Sequence, residues 1–136
     1  SVLSALALGA DFAYVGTKFI ATEEANASPG YKQMIIDSTA DDIMYSATFT
    51  GVNGNYLRPS VEAAGLNPDE HMSGSKDDMN FSTSAIAKKD NSSKAWKDIW
   101  GSGQGIGSIK NAPSVEDAVN QMVSEYDDAK SRLESF

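Results

Sequence analysis

The residue pair best suited to hold an anion is Gly16-Thr17. It follows the short apolar run Phe12-Ala13-Tyr14-Val15 and precedes Lys18-Phe19-Ile20, which can begin a helix. A strand that runs into a Gly-led helix start offers backbone N–H groups and a positive dipole end to a phosphate. Glycine lets the backbone approach closely, and Thr17 adds a hydroxyl donor. The plainer alternative is an ordinary strand-to-helix turn, because short Gly-Thr turns are common.

Other residue groups promise less chemistry. Gly101-Ser102-Gly103-Gln104-Gly105-Ile106-Gly107 is glycine-rich. It is not a dinucleotide fingerprint, because Ile106 stands where the third glycine belongs and no strand precedes it. Nor is it a Walker A loop, since no Gly-Lys-Ser/Thr follows. The pattern favours a flexible connection, with Gln104 as the residue that could face a ligand. His71, the only histidine, stands in a polar stretch beside Asp69 and Glu70. With no serine or cysteine in a nucleophile elbow, it reads as a solvated side chain. The pairs Asp41-Asp42, Asp69-Glu70, Asp77-Asp78 and Asp127-Asp128 are sequence neighbours, which do not face one another on a helix or a strand. They read as solvating charge, and none fits a calcium loop. Trp96 and Trp100 share a helical face, with core packing the default and a lid over a ligand the alternative.

These residues need elements to position them. Val2, Leu3, Ala5, Leu6 and Leu8 form one helical face that Gly9 can end. Phe12 to Val15, apolar without alternation, reads as a strand buried on both faces. Thr22 can cap a short helix that begins with Glu23 and Glu24. Ser28-Pro29 predicts a helix reaching about Asp37. Ile43 to Phe49 reads as extended or irregular. Gly51, Asn53-Gly54-Asn55 and Pro59 punctuate a loop, and Ser60 to Ala64 is a short helix ended by Gly65. Residues 67–93 are polar and read as a surface excursion, with Met79, Phe81 and Ile86 available to pin it. Ala95 to Trp100 reads as a helical turn. The clearest element is the last, where Ser114 caps a helix, Asp117 completes a capping box, and Val115, Ala118, Val119, Met122, Val123, Tyr126 and Ala129 keep a 3.6 period.

Composition narrows the partners. The 136 residues carry a net charge of −8 and no cysteine. The length suits one ordinary domain. An acidic surface repels nucleic acid and anionic lipid, so neither is expected as a partner. Disulfides and thiolate chemistry are excluded. No apolar window approaches the roughly 20 residues of a membrane span, and a soluble, cytoplasmic protein is expected. One buried strand with several helices is an α/β inventory that lacks sheet neighbours, which predicts that the strand closes a sheet built from residues upstream.

Five segments in order and at matching spacing resemble the nitronate monooxygenase family. They are Ala5-Leu6-Ala7-Leu8-Gly9-Ala10-Asp11, Val15-Gly16-Thr17-Lys18-Phe19-Ile20-Ala21-Thr22-Glu23-Glu24, Pro29-Gly30-Tyr31-Lys32, Phe49-Thr50-Gly51 and Trp100-Gly101-Ser102-Gly103-Gln104-Gly105-Ile106-Gly107. The resemblance implies the C-terminal fragment of an FMN-dependent (β/α)₈ TIM barrel, mostly helical as an isolated chain with one or two short strands. Residues 1–136 would then be part of a single FMN-binding domain. The resemblance also implies oxidation of alkyl nitronates by O₂ to carbonyl compounds and nitrite. The segment matching Tyr14, Val15, Gly16 and Thr17 binds the FMN phosphate in that family, largely through backbone amides. This chain departs from the family at Tyr14-Val15, where Gln-Met is common, and at Lys18, where Arg is common. The family's catalytic histidine and remaining phosphate-binding glycines are expected upstream, so His71 inherits no role and this chain supplies half of the phosphate site. Two other readings stand beside this one. They are an NAD(P)H-dependent flavin reductase of quinones or enoyl thioesters on the same fold, and a non-enzymatic helical interaction module.

Overall fold

The computed structural model describes residues 2–49, 52–71 and 98–135. Among them the chain forms α1 (Val2–Ala7), α2 (Thr17–Ile20), α3 (Pro29–Asp37), β1 (Ile43–Ser46), β2 (Gly54–Leu57), α4 (Arg58–Ala63) and α5 (Val115–Glu134). Single 3₁₀ turns lie at Ala40–Asp42, Pro68–His71 and Gln104–Ser108. The mostly helical character with two short strands is the one expected.

Local signals set most helix ends. Gly9 and Gly65 have φ of +92° and +78°, which side chains with a Cβ rarely adopt. The Gly9 and Ala10 amides donate to Leu6 and Ala5, and the Gly65 and Leu66 amides to Glu62 and Val61. Each set is the pair of reversed bonds that closes a helix through a left-handed residue. Ser28 Oγ accepts from the Tyr31 amide at 3.3 Å, with Pro29 in the first turn. Ser114 Oγ accepts from the Asp117 amide at 3.0 Å and donates to the Asp117 carboxylate at 2.8 Å. Both caps stand where the sequence predicts them.

The strands differ from expectation. Phe12–Val15 joins no ladder; Phe12 is 89% exposed and Tyr14 100%. An apolar run becomes a strand only where a neighbour accepts and donates its backbone bonds, and the ladder among the described residues lies elsewhere. There β1 pairs antiparallel with β2, Ile43 opposite Leu57 and Ser46 opposite Gly54. The Asn53-Gly54-Asn55 punctuation therefore marks the start of a strand, and Pro59 sits in the first turn of α4, where its missing N–H costs nothing. A third stretch adds to this ladder. Tyr56 bridges Gly101 antiparallel, the Leu57 amide donates to the Trp100 carbonyl at 2.8 Å, and the Ser102 amide to Asn55 at 3.2 Å. A Cβ on Gly101 would stand 3.2 Å from the Asn55 carbonyl, tighter than ordinary contact. No helix follows Thr22; its hydroxyl instead donates back to the Phe19 carbonyl at 2.8 Å.

The core gathers Ala21, Ile35, Leu57, Ile106 and Ile109, with Ile20, Tyr31, Met34, Ile43 and Trp100 packed against it. Elements distant in sequence thus share one apolar centre. α1 and α2 pack on α5, whose Ala118 is fully buried. Val119, Val123 and Leu133 of the same helix remain exposed. Residues 50–51 and 72–97 lie outside the described residues, and with them Asp77-Asp78, Met79, Phe81, Ile86 and Trp96. No helix among the described residues is long and apolar enough to cross a membrane.

Candidate functional site

Gly16 caps α2, which begins at Thr17 as the sequence predicts. The first amides of any helix lack intrahelical acceptors, so those at the start of α2 are available to an oxygen ligand. At one turn, α2 is too short for a large dipole, and the amides themselves are its asset. Gly16 is exposed, Val15 and Thr17 are half-buried. A Cβ at position 16 would meet only the Tyr14 ring, at 3.9 Å, so the Cα of Gly16 is uncrowded.

The glycine-rich stretch near the end of the chain joins this turn. The Gly103 amide donates to Thr17 Oγ1 at 2.9 Å across 86 positions of sequence. Gly103 itself is extended, with φ −81° and ψ 159°, just before the Gln104–Ser108 turn. Ile106 is fully buried, while Gln104 is exposed. The stretch expected to be a flexible connection is therefore fastened at Gly101, Gly103 and Ile106. Sequence reading singles out both glycine segments but has no signal that pairs them.

The turn is also braced from behind. Lys18 Nζ donates to Gln121 Oε1 of α5 at 3.0 Å. Lys32 Nζ donates to the carbonyls of Thr22 and Glu23 at 2.7 and 3.0 Å. The Glu23 amide donates to the Pro113 carbonyl at 3.0 Å, and both Glu24 carboxylate oxygens accept from the Val115 amide at 2.9 Å. Glu23 and Glu24 thus fasten the start of α5 instead of starting a helix of their own.

Beside this turn, Tyr31 and Trp100 stack with ring centroids 5.0 Å apart. The Tyr31 hydroxyl donates to the Gly101 carbonyl, and burial holds its pKa above the ordinary phenol value. These rings help to line an open depression of about 550 Å³ with Ile20, Ala25, Ser28 and Asp98. It excludes Gly16 and Thr17.

The remaining candidates do not converge. Asp69 accepts from Arg58 at 2.9 Å, which raises the arginine's already high pKa. Asp42 accepts from the Thr39 amide at 2.7 Å. His71 ends the Pro68–His71 turn. Among the described residues no three histidine or carboxylate side chains are placed to hold a metal ion.

Similarity to known proteins bears on the fold and the family. Among curated proteins, none matches the chain. Among solved structures, FabK from Thermotoga maritima superposes with a TM-score of 0.68 at 21% identity, covering 98% of this chain and 42% of that one. A point mutant of that FabK gives 0.67 at 20%, covering 98% and 40%. The chain thus spans about two fifths of the length of these structures, and the shared feature is the fold, that of a TIM-barrel fragment. A family model described as nitronate monooxygenase matches residues 1–125. The chain belongs to the nitronate monooxygenase family.

Proposed function

We propose that this chain is the part of an FMN-dependent oxidoreductase that holds the cofactor phosphate, in an enzyme that oxidises alkyl nitronates with O₂ to carbonyl compounds and nitrite. The carrying observation is the Thr17–Gly103 bond at the open start of α2. The residues present fit a phosphate. Backbone amides at Gly16 and Thr17 point to no intrahelical acceptor, no Cβ blocks position 16, and the Thr17 hydroxyl donates to none of the described residues. Tyr14 and Val15 lead the chain to this turn and contribute through their backbone.

When bound, FMN supplies the electron transfer from the nitronate carbon to O₂. The chain's own contribution is positional. Oriented amides and one hydroxyl offset phosphate charge without a large reorganisation. Lys18, held 3.0 Å from Gln121, adds a nearby positive charge in place of a bidentate arginine fork. The nitronate itself would meet residues outside this chain, including the expected histidine.

The test uses the protein expressed from its complete gene. Expected results are a yellow holoprotein, nitrite release from an alkyl nitronate under O₂, and a Thr17→Val variant that binds FMN roughly tenfold more weakly. NAD(P)H oxidation with a quinone or enoyl thioester, without nitrite release, would replace this reading with the flavin reductase. A colourless protein that titrates with no flavin would leave the interaction module.

A further inference from the structure

We propose that Gly103 is a positioning residue that sets the polarity of the Thr17 hydroxyl, turning it into a dedicated donor toward a phosphate; this rests on the reading of the Gly16-Thr17 turn as the FMN phosphate site. A threonine hydroxyl can accept or donate, and its proton rotates to suit its partners. Here the Gly103 N–H occupies the oxygen from one side at 2.9 Å. The hydroxyl proton must then point away from Gly103. An oxygen that accepts one hydrogen bond also donates the next more strongly. The outcome is a hydroxyl that favours an anion over a neutral donor.

Three further features fit this role. Gly103 lies outside the helical ladder of the turn it precedes, so its amide serves Thr17 and not that turn. Its neighbours are fixed, with Ser102 bonded to Asn55 and Ile106 buried in the core. Gly103 is therefore presented by the body of the protein. Thr17, in turn, sits in α2, which Lys18 ties to α5. Both partners of the bond are held from outside the site, so their separation is set before any ligand arrives.

The Gly103 N–H permits a narrow test. Glycolic acid in place of Gly103 turns the Ser102–Gly103 amide into an ester, which removes the N–H and little else, whereas a proline ring Cδ would stand where that hydrogen points, against Thr17 Oγ1. Alanine keeps the N–H, and its Cβ would stand 3.5 Å from Thr17 Oγ1, an ordinary contact. FMN and riboflavin differ by the phosphate alone, so the ratio of their affinities isolates the phosphate contact from general damage to the pocket. In the full protein, the ester at position 103 is expected to weaken FMN binding roughly three- to tenfold, while riboflavin binding changes less than about twofold. Gly103→Ala should preserve both. Combined with Thr17→Val, the ester should add nothing further, because its effect passes through that hydroxyl.

The outcomes separate the inference from the reading beneath it. If Thr17→Val lowers the FMN preference and the ester at position 103 does not, Gly103 has no positioning role and the phosphate site stands. If Thr17→Val leaves the FMN preference intact, the phosphate reading itself fails. Equal loss of FMN and riboflavin binding in the ester variant marks a structural defect and overturns the inference. Should the ester variant fail to fold, Thr17→Ser supplies a second measurement. It keeps the acceptor for Gly103 and should retain the FMN preference; loss of that preference would overturn the inference.

Discussion

Tyr31 joins three parts of the molecule. Its backbone sits in α3, its ring stacks on Trp100, and its hydroxyl donates to Gly101. Burial disfavours the phenolate, so the folded pKa lies above the unfolded value of 10.0. Below pH 10 the neutral hydroxyl is present in both states and its hydrogen bond is intact. As pH rises above 10, the unfolded chain loses the proton first, and stability falls until the folded pKa is passed. Urea titrations of wild type at pH 8 and pH 11 should show this loss. Tyr31→Phe should be less stable at pH 8 by about 1 kcal/mol and lack this residue's share of the alkaline decline. An identical alkaline slope in both proteins would remove Tyr31 as its source. None of these tertiary partners is legible in the sequence, which shows Tyr31 only as a residue of the helix that Ser28-Pro29 predicts and of a family-like segment. The same holds for Thr17 and Gly103. Their side-chain and backbone chemistry is visible at each position, but a contact spanning 86 residues is a product of the whole fold.

At the scale of elements, legibility follows locality. Caps at Ser28 and Ser114 and stops at Gly9 and Gly65 depend on atoms a few residues away, and each appears where it is read. Strands depend on partners, so the apolar Phe12–Val15 run misleads while the polar-looking Gly54–Leu57 pairs with β1. The long helix offers a direct test. Its first turn is held by Ser114 from within and by Glu24 from 91 positions away. Ser114→Ala should cost about 1 kcal/mol, and Glu24→Gln a further few tenths at low salt, as carboxylate charge near a helix start is lost. Chemical denaturation of the single and double variants in low and high salt checks both figures. A salt-independent Glu24→Gln effect would rule out the electrostatic share.

For the whole molecule, the unevenness of burial is the main fact. Ala21, Ile35, Leu57, Val61 and Ile106 are fully buried, whereas Leu8, Phe12 and Tyr14 lie almost wholly in solvent. Hydrogen exchange of the 136-residue chain should therefore protect Val115–Ala129 more than Phe12–Val15. Comparable protection of the two would mean that Phe12–Val15 has strand partners in solution. On the proposed reading, titrating that same chain with FMN should give no saturable fluorescence change, because half of the phosphate contacts would yield little affinity after association entropy is lost.

The bonds that brace α2 carry one more consequence. Lys18 and Glu24 follow the Gly16-Thr17 turn and end on α5, at Gln121 and Val115. Coupling between two regions is thermodynamically reciprocal. Whatever holds the Gly16-Thr17 turn still must also quiet the opening turns of α5, and whatever frays that helix must loosen the turn. The last helix thus acts as a thermodynamic ballast for the turn.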